Sequence, residues 1–266
     1  MKIGMITCNY FMRIYGYQMP EPFSWGEMCV KYRAEFGKGD FLKLAREIRD
    51  LGYDCLEIWE PNFSYMVYKP GDASRLATEL KNMGFRELAY CIGGWGADDV
   101  EQVGKAYTFA KALGAKIVTG CITQVDAGII LPEADRWGRE LGIRFAIENH
   151  PKPCFESPED IAEAVKTYET IGANLDTGIY NQQGYDVLGA LDLLKDKIYH
   201  VHFKDTIKGT KGGCLPIGDG DAPMAALLRK LRDWQYGGMV SVEFEYENDP
   251  APGLARSIAY MRGVLA

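Results

Sequence analysis

The sequence predicts a single (β/α)₈ barrel that takes up all 266 residues. Apolar strand-like runs alternate with amphipathic helix-like runs along the whole chain, and there are eight of each, the number that closes a barrel. The length fits as well, because this fold typically needs about 250 residues. An open, doubly wound sheet is the alternative. No Gly-x-Gly-x-x-Gly follows the first predicted strand, so the barrel is favoured.

The strands are predicted where short apolar runs occur. They cover residues 2–7, 54–59, 87–92, 116–120, 143–148, 173–176, 198–204 and 239–245. The helices are predicted where apolar residues recur at helical spacing. They cover residues 40–51, 72–83, 98–113, 132–141, 157–171, 184–195, 221–234 and 252–264.

Residue types at the helix ends support these assignments. Asp40, Asp72 and Ser157 are candidate N-caps, and Pro158 suits the first turn of a helix. Glycine follows several predicted helices and suits a left-handed C-terminal residue. These glycines are Gly52, Gly84, Gly114, Gly142 and Gly172.

The connection between the first strand and the first helix, residues 8–39, is unusually long. It is rich in aromatic residues, namely Tyr10, Phe11, Tyr15, Tyr17, Phe23, Trp25, Tyr32 and Phe36. Such a composition argues against disorder, and loops of this length in a compact domain are usually functional. Because barrel active sites are built from loops that follow strands, we expect a lid or a specificity wall. A structural flap is the alternative.

Composition excludes several classes of function. The net charge is −7 and the pI about 5.2, so no basic surface favours nucleic acid or an anionic membrane. No apolar run approaches the roughly 18 residues of a membrane span, and the first residues read as a strand, not as a secretion signal. Seven cysteines occur singly, which is typical of reduced thiols in a cytoplasmic protein. Assembly into a homo-oligomer is left open.

Four predicted strands in the second half of the chain carry polar residues on one face only. Alternation places apolar residues on one face of residues 143–148, 173–176, 198–204 and 239–245. The other face carries Glu148, Asn174, Asp176, His200, His202, Glu243 and Glu245. An unpaired buried carboxylate costs several kcal/mol, to order of magnitude. A cation where these strands converge would remove that cost, so the pattern indicates a metal centre.

The ligand candidates are one residue from each of the last four strands: Glu148, Asp176, His202 and Glu243. Three carboxylates and one imidazole form an oxygen-rich site for one divalent cation. Such a site favours Mn²⁺, with Mg²⁺, Co²⁺ or Zn²⁺ as alternatives. Taken singly, each residue could instead be a cap or a salt-bridge partner. His200 lies one layer deeper on the same face and is better placed to support a ligand than to be one.

The eightfold alternation and four motifs resemble the xylose isomerase-like TIM barrel superfamily. The motifs are Ile147-Glu148-Asn149-His150, Leu175-Asp176-Thr177, His200-Val201-His202 and Val242-Glu243. Within it the chain is most similar to the sugar phosphate isomerase/epimerase group, which includes ketose 3-epimerases, inosose isomerases and dehydratases, and hydroxypyruvate isomerases. The resemblance implies that the four candidates bind the metal and that Glu148 and Glu243 also form the acid/base pair.

One departure from that pattern bears on the substrate. In ketose 3-epimerases the stretch after the metal-binding histidine leads to a glutamate and then to an arginine that holds the sugar. Residues 203–208 read Phe-Lys-Asp-Thr-Ile-Lys and contain no arginine. This absence argues against an unphosphorylated ketohexose and leaves a sugar, a cyclitol or a small keto acid as the expected substrate.

The predicted chemistry is proton transfer beside a carbonyl group. A divalent cation that chelates a carbonyl and the neighbouring hydroxyl acidifies the C–H bond between them and stabilises an enediolate. Two carboxylates on opposite faces would then epimerise or isomerise the substrate. Expulsion of a β-substituent would instead make the protein a lyase or dehydratase. His150 could act as an additional base for that reaction or could simply pack against Pro151.

Other residues are weaker candidates for substrate contact. They are Glu57, Trp59, Trp95, His200, Lys204, Asp205 and Glu245. Lys204, Lys208 and Lys211 could bind a phosphate after the seventh strand, although a solvated lysine loop is the simpler interpretation. A DNA-repair endonuclease is disfavoured by the negative charge and by a total of three histidines. A catalytically silent barrel is disfavoured by the complete ligand set.

Overall fold

In a computed structural model, which describes residues 1–210 and 212–266, eight parallel strands form a closed barrel. Each strand pairs with the next, and the eighth pairs with the first. The strands are β1 (Lys2–Ile6), β2 (Cys55–Trp59), β3 (Glu87–Trp95), β4 (Ile117–Ile122), β5 (Arg144–Glu148), β6 (Ile171–Asp176), β7 (Ile198–Phe203) and β8 (Met239–Val242). The predicted TIM barrel is confirmed.

Ten α-helices occur in the described residues and surround the barrel. They are α1 (Trp25–Glu35), α2 (Lys38–Asp50), α3 (Pro70–Asn82), α4 (Val100–Leu113), α5 (Ala127–Leu141), α6 (Pro158–Ala164), α7 (Thr177–Gln182), α8 (Val187–Leu194), α9 (Met224–Asp233) and α10 (Ala251–Leu265). Short 3₁₀ helices cover Thr7–Tyr15, Glu60–Asn62, Ala97–Asp99 and Lys195–Lys197. None of the helices described is long and apolar enough to cross a membrane.

The apolar core lies between the strands and the helices, while the inside of the barrel is partly polar. Phe145, Ile147 and Val201 are fully buried on the apolar face that alternation predicts. The carboxylate of Glu57 and the hydroxyl of Thr119 meet inside the barrel at 2.6 Å. The barrel interior therefore supplies the polar floor on which a site can be built at the carboxyl ends of the strands.

Only one of the three predicted N-caps is right. The hydroxyl of Ser157 accepts a hydrogen bond of 3.1 Å from the backbone N–H of Asp160 and caps α6. Asp40 and Asp72 lie instead in the first turns of α2 and α3, where each carboxylate accepts the backbone N–H of the residue before its helix, at 3.2 and 3.0 Å. Both helices begin earlier than predicted because a carboxylate is as favourable in the first turn as at the cap.

Four of the five glycines predicted near helix C-termini have positive φ, as that position requires. They are Gly52, Gly84, Gly114 and Gly142. The prediction for Gly172 is wrong, because this residue lies inside β6. A Cβ atom there would lie 2.4 Å from the carbonyl oxygen of Lys197, so glycine is required by close packing and not by a helix end.

Other predicted boundaries also differ from the structure, and those near the barrel mouth matter most. The helix predicted at 157–171 ends at Ala164, and the one predicted at 184–195 is preceded by the separate short helix α7. Strand β8 ends at Val242, so Glu243 and Glu245 lie in the segment that follows it and not within the strand. Both residues nevertheless stay at the carboxyl end of the barrel.

The aromatic segment 8–39 is folded and is not the plain loop that the sequence predicts. It contains a 3₁₀ helix and α1, which are joined by a hydrogen bond of 2.6 Å from the Tyr32 hydroxyl to the carbonyl oxygen of Tyr10. Tyr10, Phe11 and Tyr32 are buried. The aromatic residues that argued against disorder are therefore a local core, and this core fixes one side of the barrel mouth.

Candidate metal centre

Four side chains converge at the carboxyl ends of β5 to β8. One potential ligand atom from each of Glu148, Asp176, His202 and Glu243 lies within 4.8 Å of the other three. The Nδ1 atom of His202 lies 3.0 Å from Glu243 Oε2 and 3.4 Å from Glu148 Oε1. Asp176 and His202 are register partners on β6 and β7, which explains why they meet. All four residues are buried.

The unpartnered atoms of this cluster fit a divalent cation. Among the described residues, His202 Nδ1, Asp176 Oδ2 and Glu243 Oε2 make no hydrogen bond, although each is buried. An imidazole nitrogen and two carboxylate oxygens thus converge without hydrogen bonds among themselves, which is unfavourable for buried polar atoms. Donors about 2.1 Å from one ion and at right angles lie about 3 Å apart, which matches the closest observed spacing. The buried cluster could therefore hold a metal ion.

The electrostatic environment of the cluster also favours a bound cation. Burial raises the pKa of Asp176 to about 7, and the neighbouring charge of Glu243 adds to that increase. Burial alone would lower the pKa of His202, but the carboxylates of Glu57 and Glu243 raise it well above its usual value. Negative charge is crowded here, and a bound cation would relieve the repulsion.

Glu57, which the sequence analysis predicts to contact a substrate, does not line the cavity above the cluster. It is fully buried on β2, and the hydroxyl of Thr119 donates to its Oε1 atom at 2.6 Å. Its Oε2 atom lies 2.9 Å from His200 Nε2 and 3.0 Å from His202 Nε2. With Nε2 of His202 held in this way, Nδ1 is the nitrogen that faces the cluster. Glu57 therefore orients a candidate ligand.

His200 likewise lies too deep for the substrate contact proposed from the sequence. It is fully buried, and its ring meets that of His202 edge to face at 5.6 Å. Its Nε2 atom is used by Glu57, which agrees with the interpretation of His200 as a supporting residue. Alternation gives the face of His200, and its position two residues before His202 on the same strand gives its deeper layer.

Lys204 is part of the cluster and is not a solvated loop lysine. Its ammonium group lies 3.1 Å from Glu243 Oε1, 3.0 Å from Glu245 Oε2 and 3.4 Å from Asp176 Oδ2. Burial alone would lower the pKa of Lys204, but the carboxylates raise it well above the usual value. The neighbouring Lys208 is exposed, and Lys211 lies outside the described residues. Lys204 is therefore paired with carboxylates, and it is neither a solvated lysine nor a free cation for a phosphate group.

A cavity of about 1020 Å³ lies above the cluster. Several residues predicted from the sequence line it together with the cluster, namely Trp59, His150, Lys204 and Glu245. Sequence reasoning missed others, namely Glu156, Gln182, Gln183 and Thr210. Trp25, from the aromatic segment, also lines the cavity and meets Trp59 edge to face at 6.5 Å. Most of the missed residues follow strands without a periodic pattern, so alternation could not identify them.

Trp95 and Asp205, which were also predicted to contact a substrate, do not line the cavity. Trp95 is buried against the outside of the barrel, where its ring stacks on Phe145 at 5.5 Å. The buried carboxylate of Asp205 accepts backbone N–H groups from Gly218 and Gly220 at 2.8 and 3.0 Å. It therefore shapes the loop after β7 and has no free oxygen to offer a substrate.

Two asparagines join neighbouring strand ends beside the candidate ligands, and the sequence analysis did not identify this function. Asn149 donates to the carbonyl oxygen of Asp176 at 3.1 Å and accepts the N–H of the same residue at 2.8 Å. Asn9 donates to the carbonyl oxygen of Val242 at 2.9 Å and accepts the N–H of Phe244 at 2.6 Å. These two clasps hold β5 to β6 and β1 to the end of β8.

Comparison with known families agrees with this architecture. The family model described as xylose isomerase-like TIM barrel matches residues 45–264, which is most of the chain. The protein therefore belongs to the xylose isomerase-like TIM barrel family, as its motifs indicated. Comparison with curated proteins gave no match.

Solved structures with the same fold include sugar epimerases and a dehydratase. A D-allulose 3-epimerase from Methylomonas sp. in complex with D-allulose has a TM-score of 0.74 at 13% identity, over 99% of this chain and 96% of the other. A 3-keto-D-glucoside 4-epimerase from E. coli has a TM-score of 0.68 at 17% identity, over 99% of both chains. A probable 3-DHS dehydratase from Bacillus anthracis has a TM-score of 0.73 at 13% identity, over 100% of this chain and 99% of the other. At these identities the likeness shows the fold alone.

Proposed function

We propose that this protein is a divalent-metal-dependent isomerase or epimerase of a sugar or cyclitol and that it works through an enediolate. The observation that carries the proposal is the convergence of four buried donors, three of them with unpartnered atoms, beneath a cavity large enough for a sugar. Solved structures with the same fold include sugar epimerases, so this fold accommodates the proposed reaction class.

Glu148, Asp176, His202 and Glu243 would hold the ion, with Mn²⁺ favoured by the oxygen-rich ligand set and Mg²⁺, Co²⁺ or Zn²⁺ as alternatives. When bound, a divalent cation supplies a Lewis acid that withdraws charge from a carbonyl group and lowers the pKa of the adjacent C–H bond. Glu57 keeps the imidazole of His202 in the orientation and tautomer that ligation requires.

Glu148 and Glu243 are the groups assigned to proton transfer. Both line the cavity and come from opposite flanks of the cluster, on β5 and after β8. One carboxylate removes the proton beside the carbonyl group, and the other returns a proton to the opposite face or to the adjacent carbon. Solvent then restores both carboxylates to their starting protonation states. Each transfer is worth about 10²–10⁴-fold in rate.

Lys204 would compensate charge during this transfer. Its ammonium group contacts Glu243 and Glu245, so it opposes the build-up of negative charge at that side of the cavity. It also lines the cavity and can donate a hydrogen bond to a substrate oxygen. These contacts suit an intermediate that carries negative charge on oxygen.

A lyase is the second candidate function, and the position of His150 favours it. His150 lies two residues after Glu148 and lines the cavity. A third proton-transfer group near the substrate would allow a β-substituent to leave with a proton. The cavity of about 1020 Å³ also has room for such a substituent.

Solvent deuterium exchange tests the proposal. The metal-loaded protein in D₂O should introduce deuterium beside the carbonyl group of at least one member of a panel of keto sugars and inososes, as observed by NMR. Glu148→Gln and Glu243→Gln should each reduce exchange by at least about 10²-fold. Glu156→Gln, which removes a cavity carboxylate outside the cluster, is the matched control.

Each outcome has a distinct meaning. Exchange without loss of a substituent supports the isomerase or epimerase, whereas release of a substituent in step with exchange supports the lyase. A Glu243→Gln protein that retains its metal and exchanges at the normal rate would exclude the acid/base role. No exchange into any member of the panel would contradict the enediolate mechanism.

A further inference from the structure

A second cavity, of about 490 Å³, lies at the amino-terminal end of the barrel, opposite the candidate metal centre. It is formed where strands begin, and its lining includes Lys2, Glu87, Lys116, Arg144, His200 and Tyr236. The loops that build the upper cavity take no part in it. It is therefore a separate site, and a ligand that bound there would not meet Glu148 or Glu243.

The charges that line this amino-terminal cavity are mainly positive, although the whole protein carries −7. Lys2 is bonded to Glu87 at 2.5 Å, so these two charges compensate each other. Lys116 and Arg144 have no carboxylate partner in the part of the chain that the structure describes. The guanidinium group of Arg144 lies over the ring of Tyr199 at 4.5 Å, which holds it in position at the cavity wall. Two uncompensated cations beside one cavity favour an anion.

Two buried polar atoms of the lining residues are also without partners. Neither Nδ1 of His200 nor the hydroxyl of Tyr236 makes a hydrogen bond to any described residue. Nε2 of His200 is engaged by Glu57, which lies on the side of the metal centre, so Nδ1 is the edge left for this cavity. Buried polar atoms are normally satisfied. Hydroxyl groups of a ligand would supply the partners that these two atoms lack.

We propose that the amino-terminal cavity binds a small hydroxylated anion, with its phosphate or carboxylate group at Lys116 and Arg144 and a hydroxyl group at His200 and Tyr236. A sugar phosphate or a sugar acid has this combination of groups. A fully apolar molecule would leave the two cations and the two buried polar atoms unsatisfied, and a simple inorganic anion would satisfy only the cations.

Titration of the full-length protein with two probes tests this site. Inorganic phosphate offers only the anion, whereas glycerol 3-phosphate offers the anion and hydroxyl groups. Both should bind, and the affinity measured by calorimetry or ³¹P NMR should fall at least about tenfold in Lys116→Gln/Arg144→Gln, since a hydrogen bond to a charged group is lost at each position. Both substituted residues are exposed, so the variant should fold.

The control is the double variant Lys81→Gln/Arg229→Gln, which removes two exposed cations outside the cavity. It changes the net charge by the same amount as Lys116→Gln/Arg144→Gln. Its affinity for both probes should be unchanged. Tyr236→Phe should weaken glycerol 3-phosphate and leave inorganic phosphate unaffected, because only the hydroxyl contact is lost. The proposal is overturned if the native protein binds neither probe, or if Lys116→Gln/Arg144→Gln binds both as tightly as the native protein. Equal affinity of the native and Tyr236→Phe proteins for glycerol 3-phosphate would overturn the assignment of the hydroxyl group.

Discussion

A single buried carboxylate, Glu57, connects the barrel interior to the candidate metal centre. It accepts hydrogen bonds from Thr119 and bonds both His200 and His202. Burial would raise the pKa of Glu57, but the two histidines hold it well below its usual value. A carboxylate that stays charged inside the barrel fixes the imidazole of His202 with Nδ1 toward the cluster. This arrangement is the usual support for a metal-bound histidine.

We therefore predict that Glu57→Gln weakens metal binding although Glu57 is not a ligand. The amide is similar in shape, but it is neutral, and its N–H groups cannot accept a hydrogen bond from a histidine nitrogen. The affinity, measured by competition with a chelator, should fall about 10–100-fold. Glu60→Gln is the control, because it removes an equally buried carboxylate that pairs with Arg33 instead. Equal affinity in Glu57→Gln and the native protein would show that Glu57 does not orient the ligand.

The sequence identified the candidate ligands better than their surroundings. Glu148 and Asp176 end β5 and β6, and His202 lies one residue before the end of β7, so their face and their position at the rim follow from alternation. Hydrogen bonding does not follow from it. For that reason the sequence analysis placed Glu57 on the correct face without identifying its bonds to the two histidines, and it did not identify Asn9, which lies in a segment without periodicity.

At the level of secondary-structure elements, side-chain clasps fix the strand ends that carry the ligands. Asn9 bonds the backbone on both sides of Glu243, at the last residue of β8 and two residues beyond it. Asn149 does the same for Asp176 at the end of β6. The positions of two ligands thus depend on bonds from neighbouring strands.

We predict that Asn9→Ala lowers both stability and metal content. The backbone carbonyl of Val242 and the N–H of Phe244 would stay buried without partners, which costs about 1–3 kcal/mol for each unsatisfied group, and Glu243 would be less well positioned. Denaturant unfolding and elemental analysis measure the two effects. Asn62→Ala is the control, since this equally buried amide makes no hydrogen bond to the described residues. If the two variants behaved alike, the clasp would have no specific function.

The aromatic segment 8–39 supplies a wall of the cavity through Trp25. Its ring stacks on Phe11 at 4.9 Å and remains 43% exposed at the cavity. Its helices could not be predicted, because α1 buries only Met28 and Tyr32 and therefore shows almost no apolar periodicity. A wall at this place was expected, because the segment is rich in aromatic residues and follows β1.

Trp25→Ala should raise KM several-fold and leave the metal content unchanged, because the indole would stack on the substrate but lies outside the cluster. Steady-state kinetics with the substrate that deuterium exchange identifies would measure KM in the variant and the native protein. Trp234→Ala is the control, since Trp234 is a half-buried tryptophan at the end of α9 that does not line the cavity. Unchanged KM with reduced thermal stability would indicate a structural flap instead of a wall.

For the whole molecule, the barrel explains why residues far apart in sequence act together. Closure and parallel register bring the carboxyl ends of β5, β6, β7 and β8 to one rim. The count of alternating elements sufficed to predict this closure. The count could not predict the opposite rim, where Lys116 and Arg144 meet, since residues at strand starts show no pattern that marks a cavity.

The central claim is that the protein binds one divalent cation through Glu148, Asp176, His202 and Glu243. Elemental analysis of the purified protein, after incubation with Mn²⁺ and removal of unbound ions, tests it most directly. We predict about one ion per chain in the native protein and a large loss in both Asp176→Asn and His202→Ala, with circular dichroism to verify folding. Undiminished metal content in both folded variants, or a native protein that binds no ion, would contradict the account.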